Sequence, residues 1–143
     1  FHVRGRLGGA FKNTSELVPV FERFWVGGID TIRGYSYSDL SPRDKRYADQ
    51  IGGDRMGVAN FEYVWTFQKE LGLALVPFYD IGFNIDSRYM TPVQDYIVSS
   101  AGLELRWRSP MGDLRIAYGI PLVRDYDHEM PSGRLEFTMG QFF

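Results

Sequence analysis

The sequence has no cysteine, only two histidines and no long uninterrupted run of apolar residues. Without cysteine, the chain has no disulfide framework and no cysteine-based metal site or nucleophile. A membrane-spanning helix needs about 18 to 20 consecutive apolar residues, and no stretch approaches that length. The net charge of −2 gives no electrostatic reason to expect nucleic acid as a partner. These absences argue against a disulfide scaffold, a helical membrane protein and a nucleic-acid-binding protein.

The composition favours an all-β protein of one domain, residues 1–143. Aromatic residues make up 16% of the chain, with 11 Phe and 9 Tyr beside 16 Gly. The hydrophobic share of 44% is that of many soluble proteins. However, a transmembrane barrel needs apolar residues at only every second strand position. A soluble β-sandwich or lipocalin-like barrel is the alternative at this point.

Alternation with a period of two predicts about six strands, each with one apolar face and one face of charges and glycines. The strands are predicted at about 1 to 11, 54 to 67, 71 to 86, 97 to 108, 113 to 120 and 134 to 143. A soluble sandwich turns its apolar faces inward, whereas a membrane barrel turns them to lipid. Alternation alone does not separate the two.

The lengths of the connections favour the barrel. Short turns are predicted around 68–70 and 109–112, and long connections at about 12–53, 87–96 and 121–132. Since consecutive strands run antiparallel, the short turns fall at one end of the sheet and the long loops at the other. Outer-membrane barrels show this asymmetry, with short periplasmic turns and longer outer loops.

Aromatic side chains of the apolar face cluster at the short-turn end. They are Trp65, Phe67, Trp107 and Phe143. Amphipathic rings favour the membrane interface, so the cluster is interpreted as an aromatic girdle, although bulky strand formers also cluster by chance.

Six strands are too few to close an outer-membrane barrel, whose smallest members have about eight. The expected fold is therefore an all-β, antiparallel transmembrane β-barrel fragment. We expect the remaining strands to belong to a longer protein, and copies of this fragment to self-associate through their sheet edges.

The loop at about 12–53 carries the motif Gly27-Gly28-x4-Arg33-Gly34-Tyr35. Strand parity places Glu62 and Asp80 together on the polar face of neighbouring strands. The planar fork of an arginine suits two carboxylates better than a lysine does. Arg33 is thus a candidate partner for both acids. In the alternative, Arg33 is solvated and the carboxylates pair with Arg106 or Arg115.

These motifs and others resemble one family in chain order. The additional motifs are Ile51-Gly52-Gly53, Asn60-Phe61-Glu62, Phe78-Tyr79-Asp80-Ile81-Gly82, Trp107-Arg108-Ser109-Pro110-Met111-Gly112 and Phe137-Thr138-Met139-Gly140-Gln141-Phe142-Phe143. Together they resemble the C-terminal part of the BamA family of outer-membrane protein assembly factors. The resemblance implies that the strands are the last six of a sixteen-stranded barrel of the bacterial surface antigen type. It also implies that the loop folds into the barrel lumen, where Glu62 and Asp80 hold Arg33.

The resemblance further implies a function in the outer membrane of a Gram-negative bacterium. There the barrel would fold and insert β-barrel proteins by templating strands and weakening the membrane locally. The implied partners are outer-membrane lipid, unfolded outer-membrane clients and Bam lipoproteins bound through POTRA domains that this chain lacks. No cofactor or metal is implied.

The last strand is similar to the signal that such machinery reads on its clients. The residues concerned are Leu135, Phe137, Met139 and Phe143. Gln141 interrupts this apolar face. A plain lipid-facing last strand would look the same.

Three other functions are alternatives. The lumen-facing acids Glu62, Asp80 and Glu104 suit a glycoside hydrolase, but no nucleophile elbow, phosphate loop or metal-spaced histidine cluster accompanies them, so no enzyme is predicted. A passive porin would not need a loop filling its lumen. TamA-like assembly factors, two-partner secretion transporters and barrels fused to patatin-like lipases share the loop motif, and remain the alternative.

Overall fold

The described residues form one antiparallel β-sheet of seven strands. The computed structural model describes residues 2–9, 19, 22–36, 40, 52–85, 97–122 and 133–140. The strands are β1 His2–Gly9, β2 Arg55–Glu62, β3 Trp65–Gln68, β4 Leu73–Ile85, β5 Val98–Ser109, β6 Gly112–Pro121 and β7 Arg134–Gly140. Their spatial order is β1-β2-β4-β5-β6-β7, with β3 also paired to β4. The predicted all-β, antiparallel fold is confirmed. No helix in these ranges has the length and apolar character that would let it cross a membrane.

One predicted strand is divided in two. The alternation over 54–67 predicts a single strand, but the ladder stops at Tyr63 and Val64. Pro77 of β4 explains the break, because its carbonyl accepts the Tyr63 N–H at 3.1 Å while its ring nitrogen has no hydrogen to return. Pairing then resumes in β3, where the register shifts between Thr66 and Gln68. The interruption raises the strand count from the predicted six to seven.

The two faces of the sheet differ in what covers them. Side chains of β4 alternate strictly, with Val76, Phe78 and Asp80 buried and Pro77 and Tyr79 exposed. The buried set faces the segment 22–36, so we call this the covered face and the opposite one the open face. The open face carries exposed apolar side chains on every strand of the spatial order, among them Val3, Phe61, Leu103, Ile116 and Phe137. The alternation therefore gives the orientation expected of a barrel wall, with ionisable groups on the covered side.

The aromatic side chains predicted as a girdle lie beside the short turns. Trp65, Phe67 and Trp107 are exposed, and the rings of Trp65 and Phe67 are 6.2 Å apart. The neighbouring turns are 69–72 and 110–111, as the sequence predicts. Phe143 lies outside the described residues.

The last strand carries the remaining predicted residues. Leu135, Phe137 and Met139 of β7 are exposed, and they pair across to Tyr118, Ile116 and Leu114 of β6. The open face of the sheet thus continues to its last edge.

Candidate functional site

The segment 22–36 crosses the covered face from β2 to β6. At its start, Phe24 and Gly53 exchange backbone hydrogen bonds of 2.8 and 2.9 Å. The Asn84 amide donates to the Phe24 carbonyl at 3.1 Å, and the Asn60 amide donates to the Thr31 carbonyl at 2.7 Å. The Asn60 amide therefore supplies the Thr31 carbonyl with a donor, and the Asn84 amide adds a second donor to the Phe24 carbonyl, which Gly53 already satisfies.

The paired glycines of the motif make the turn that delivers Arg33. Gly27 and Gly28 have φ angles of 128° and 94°, a region in which residues with a side chain are strained. Thr31 closes this turn, since its hydroxyl accepts the Gly27 N–H at 2.9 Å and its own N–H donates to the Gly28 carbonyl at 3.0 Å. The chain then enters the wall at Ile32 and Arg33.

Ile32 belongs to a small apolar core between the segment and the sheet. Its members are Val26, Ile32, Tyr35, Val58 and Val98. The Ile32 side chain sits over Gly82 of β4, where an added Cβ atom would lie 2.8 Å from its Cδ1 atom. Because Gly82 has no side chain, it leaves the space in the wall that the Ile32 side chain fills.

Gly34 and Tyr35 complete the motif against β5 and β6. A Cβ atom on Gly34 would lie 2.8 Å from the backbone of Gly119, and one on Gly119 would lie 2.7 Å from the Gly34 nitrogen. Two glycines thus let segment and strand backbones touch directly. Tyr35 is buried, and its hydroxyl donates to the Ser99 carbonyl at 3.3 Å.

Arg33 is the largest of the fully buried side chains among the described residues, with 1% of its surface exposed. Its Nε and Nη2 atoms donate to the two oxygens of Asp80 at 2.8 and 2.7 Å, and its backbone N–H donates to the same carboxylate at 3.1 Å. Asn60 adds a fourth donor to Asp80 at 2.8 Å. Burial lowers the pKa of Arg33, but the hydrogen bonds and charges of Asp80 and Glu104 outweigh it and raise that pKa above its ordinary value.

Two further carboxylates meet the remaining nitrogen of Arg33. Its Nη1 atom lies 2.8 Å from Glu62, as an ion pair without hydrogen-bond geometry, and donates to Glu104 at 2.8 Å. The guanidinium carbon lies 3.7 Å above the ring centre of Phe78. A cation over an aromatic face is attracted by the ring, more strongly where water is excluded.

Two arginines of the wall complete the cluster. Arg106 donates to Glu62 at 2.8 Å and also contacts Glu104, while Arg115 donates to the two Glu104 oxygens at 2.8 and 2.9 Å. We call the resulting set of three cations and three anions the ionic cluster. Its members are Arg33, Arg106, Arg115, Glu62, Asp80 and Glu104. The formal charges cancel, which is the condition under which buried ions are tolerated.

The sequence reasoning missed two contacts of Arg33. The sequence predicts Glu104 on the polar face only as a catalytic helper, and its alternation assigns Phe78 to neither face. Strand parity carries the signal for both, because Phe78 is two residues from Asp80 and Glu104 shares the parity of Arg106. The alternative pairing of the acids with Arg106 and Arg115 occurs together with the pairing to Arg33.

The arrangement can hold a segment against a wall. Each carboxylate of the ionic cluster has an arginine within hydrogen-bonding distance. Within the ranges that the structure describes, no group of three or more metal-ligating side chains is placed to hold a metal ion.

Comparison with curated proteins finds relatives named outer membrane protein assembly factor BamA. The one from Nitratidesulfovibrio vulgaris strain Hildenborough is 58% identical over 142 residues, covering 99% of this chain and 18% of its own length. The one from Neorickettsia risticii is 30% identical over 82% of this chain and 16% of the relative. The one from Neisseria meningitidis serogroup B is 23% identical over 96% of this chain and 20% of the relative. The chain therefore spans about a fifth of the length of these relatives.

A solved structure shows the same fold. The crystal structure of BamA from Haemophilus ducreyi lacking POTRA domains 1–3 matches 98% of this chain and 31% of that chain, with a TM-score of 0.80 and 22% sequence identity. The outer membrane is the location that these relatives share. The model of the Omp85 superfamily domain matches residues 1–143, and the chain belongs to that superfamily.

Proposed function

We propose that the strands described here are the last ones of a sixteen-stranded barrel that folds and inserts outer-membrane proteins. The relatives named as assembly factors support the general role. The observation that carries the proposal is the burial of Arg33 among Asp80, Glu62 and Glu104, because it ties the segment 22–36 to the covered face of the sheet. A loop held there fills space that a passive pore would leave open.

In this proposal the last strand offers its edge to a client. β7 pairs with β6 on one side only within the described sheet. An unpaired strand edge presents backbone donors and acceptors, and alternate side chains add selectivity. Leu135, Phe137 and Met139 would lie in the lipid beside the incoming strand. Such an edge is the physical basis for templating a strand and for weakening the membrane next to it.

In this proposal the ionic cluster anchors the loop and takes no part in a catalytic reaction. Glu62, Asp80 and Glu104 are occupied by arginines, so none is placed as a free acid or base. The loop 12–53 would be held in the lumen by these anchors. The partners would be outer-membrane lipid, unfolded clients and the Bam lipoproteins bound through POTRA domains elsewhere in the protein. Copies of the isolated fragment would pair through β1 and β7, the two edges of the described sheet.

The proposal is tested by Arg33→Lys in the whole protein. Lysine keeps the charge but loses the planar fork that reaches both Asp80 oxygens and Glu104 at once. We expect protease cleavage within 12–53 to rise by roughly tenfold or more, because lysine loses at least one charge-assisted hydrogen bond, and each contributes about 1.5–3 kcal/mol. We also expect outer-membrane levels of client proteins to fall in cells that depend on the variant.

The matched control is Arg108→Lys. Arg108 lies on the same face of β5, but 84% of its side chain is exposed and its ion pair with Asp113 is long, at 4.0 Å. This variant should leave both cleavage and client levels unchanged. If Arg33→Lys loosens the loop while clients are assembled normally, the assembly role proposed for the anchored loop is wrong.

The membrane orientation of the open face gives a second prediction. Leu103 lies in the middle of β5 with 52% of its surface exposed, whereas Met111 lies in a short turn and is 93% exposed. Arginine at the middle of the bilayer costs about 2–4 kcal/mol, and about 0–1 kcal/mol near the interface. Leu103→Arg should therefore destabilise the whole protein in lipid vesicles much more than Met111→Arg, as measured by denaturant unfolding. Equal effects would contradict the assigned lipid contact.

A further inference from the structure

Arg115 of β6 contacts both the ionic cluster and the turn that precedes Arg33. Its side chain is buried and donates to both oxygens of Glu104. The same guanidinium reaches the Asp30 carboxylate at 3.4 Å and the Ile29 carbonyl at 3.4 Å. The side chain of Arg115 therefore links the turn after Gly27 and Gly28 to Glu104, which is one of the carboxylates that contact Arg33.

The rest of the covered face of β6 is shaped to let the segment come close. Ala117 is fully buried, and Gly119 contacts the backbone of Gly34 directly. Residues 115, 117 and 119 point to the same face because side chains alternate along a strand. Along β6 the side chains of this face become smaller, from Arg115 through Ala117 to Gly119. These three residues lie beside the segment from residue 29 to residue 34.

We propose that β6 provides a second hold on the loop, with Arg115 as its positioning residue, distinct from the hold by Glu62 and Asp80 on β2 and β4. This inference rests on the proposed anchoring of the loop in the barrel wall and names a further residue for it. As a consequence, the segment 22–36 links β2 and β4 to β6. Among the described strands, β6 is the only one that pairs with β7.

The geometry requires an arginine at position 115. Its Nε and Nη2 atoms donate to Glu104, its Nη1 atom reaches Asp30, and Nη2 also reaches the Ile29 carbonyl. An ammonium group is a single point on a flexible stem, so a lysine would satisfy the carboxylate and lose the turn. Arg115→Lys is thus expected to keep the charge balance of the ionic cluster while releasing residues 29–30.

The test is hydrogen exchange of the whole protein in lipid, resolved by peptide mass spectrometry. Arg115→Gln should speed exchange in residues 29–34 by roughly tenfold, the equivalent of losing one charge-assisted hydrogen bond. Residues 24–26 should be unaffected, because Gly53 and Asn84 hold that part of the segment. Arg115→Lys should show a smaller increase, and Arg108→Gln none.

Two results would overturn the inference. In one, Arg115→Gln leaves exchange in residues 29–34 equal to that of Arg108→Gln. In the other, it opens β5 and β6 together with the whole segment, which would show a merely structural role. Both outcomes are separate from the test of the proposed function, because exchange reports the position of the loop whether or not Arg33→Lys changes client assembly.

Discussion

Asp80→Ala is expected to release the segment 22–36 from the covered face and to lower the free energy of unfolding by about 3–5 kcal/mol, the cost of breaking a buried ion pair. Asp80 is fully buried and accepts four hydrogen bonds, three from Arg33 and one from Asn60. Removing it leaves a guanidinium in a dry site with an excess positive charge in the ionic cluster. Glu62 and Glu104 already share the remaining nitrogen of Arg33, so neither can replace the lost fork.

The measurement is denaturant unfolding of the whole protein in vesicles, together with protease cleavage within 12–53. Asp113→Ala is the control, since Asp113 is also an acid of the covered face but its ion pair with Arg108 is long, at 4.0 Å. Asp80→Asn should fall between the two, because an amide keeps the shape and one acceptor but not the charge. An Asp80→Ala protein as stable as Asp113→Ala would show that Asp80 does not anchor the loop.

Strand parity is what made the faces of this sheet predictable from sequence. Because side chains alternate strictly, a residue of known orientation fixes every second neighbour. Asp80 and Glu62 could therefore be placed on one face without any structure. The same rule placed Leu103 and Ile116 on the opposite face, where the structure has them exposed.

Parity does not tell which residue of the neighbouring strand lies opposite a given residue. Register decides that, and here it sets Glu62 opposite Phe78, and Phe78 opposite Gly102. This register places the ring of Phe78 under Arg33 and places Gly102, which has no side chain, beside the ring. Glu104 enters the site for the same reason, since it lies two residues beyond Gly102 on the same face of β5. Register depends on all the hydrogen bonds of the sheet together, so local sequence does not reveal it.

The break between β2 and β3 was missed because apolar alternation continues across it. Tyr63 and Trp65 keep the period of the strand, so the pattern predicts no interruption. The cause lies in the partner strand, where Pro77 cannot donate to the ladder. A proline inside a predicted strand is the available signal, but only known pairing shows which neighbour it disturbs.

Gly102→Val is expected to displace the ring of Phe78 that lies under Arg33, without changing any charged residue. An added Cβ atom at position 102 would lie 2.8 Å from the ring of Phe78 and 2.9 Å from the Cα atom of Gly119, and it would also collide with the carbonyl of Tyr118. Two of these three contacts are backbone, so they cannot move aside cheaply. β5 and β6 must therefore move apart locally and the ring must shift as well, so the guanidinium that lies 3.7 Å above the ring loses its support.

The expected loss in the free energy of unfolding has two sources. Overpacking a well-packed site costs about 1–3 kcal/mol. A cation over an aromatic ring contributes about 2 kcal/mol or more where water is excluded. Gly5→Val is the matched control, because an added Cβ atom at Gly5 of β1 meets nothing within 4 Å. Valine is also a good strand former, so this control should be neutral or slightly stabilising.

Cleavage within 12–53 separates the two sources. If Gly102→Val only strains the sheet, the protein is destabilised but the loop stays protected. If the ring of Phe78 supports Arg33 as the geometry indicates, the loop is cleaved faster even under conditions in which the sheet remains folded. Stability and cleavage equal to those of Gly5→Val would mean that β5 tolerates a side chain beside the ring, and that the empty position at Gly102 plays no part in holding the loop.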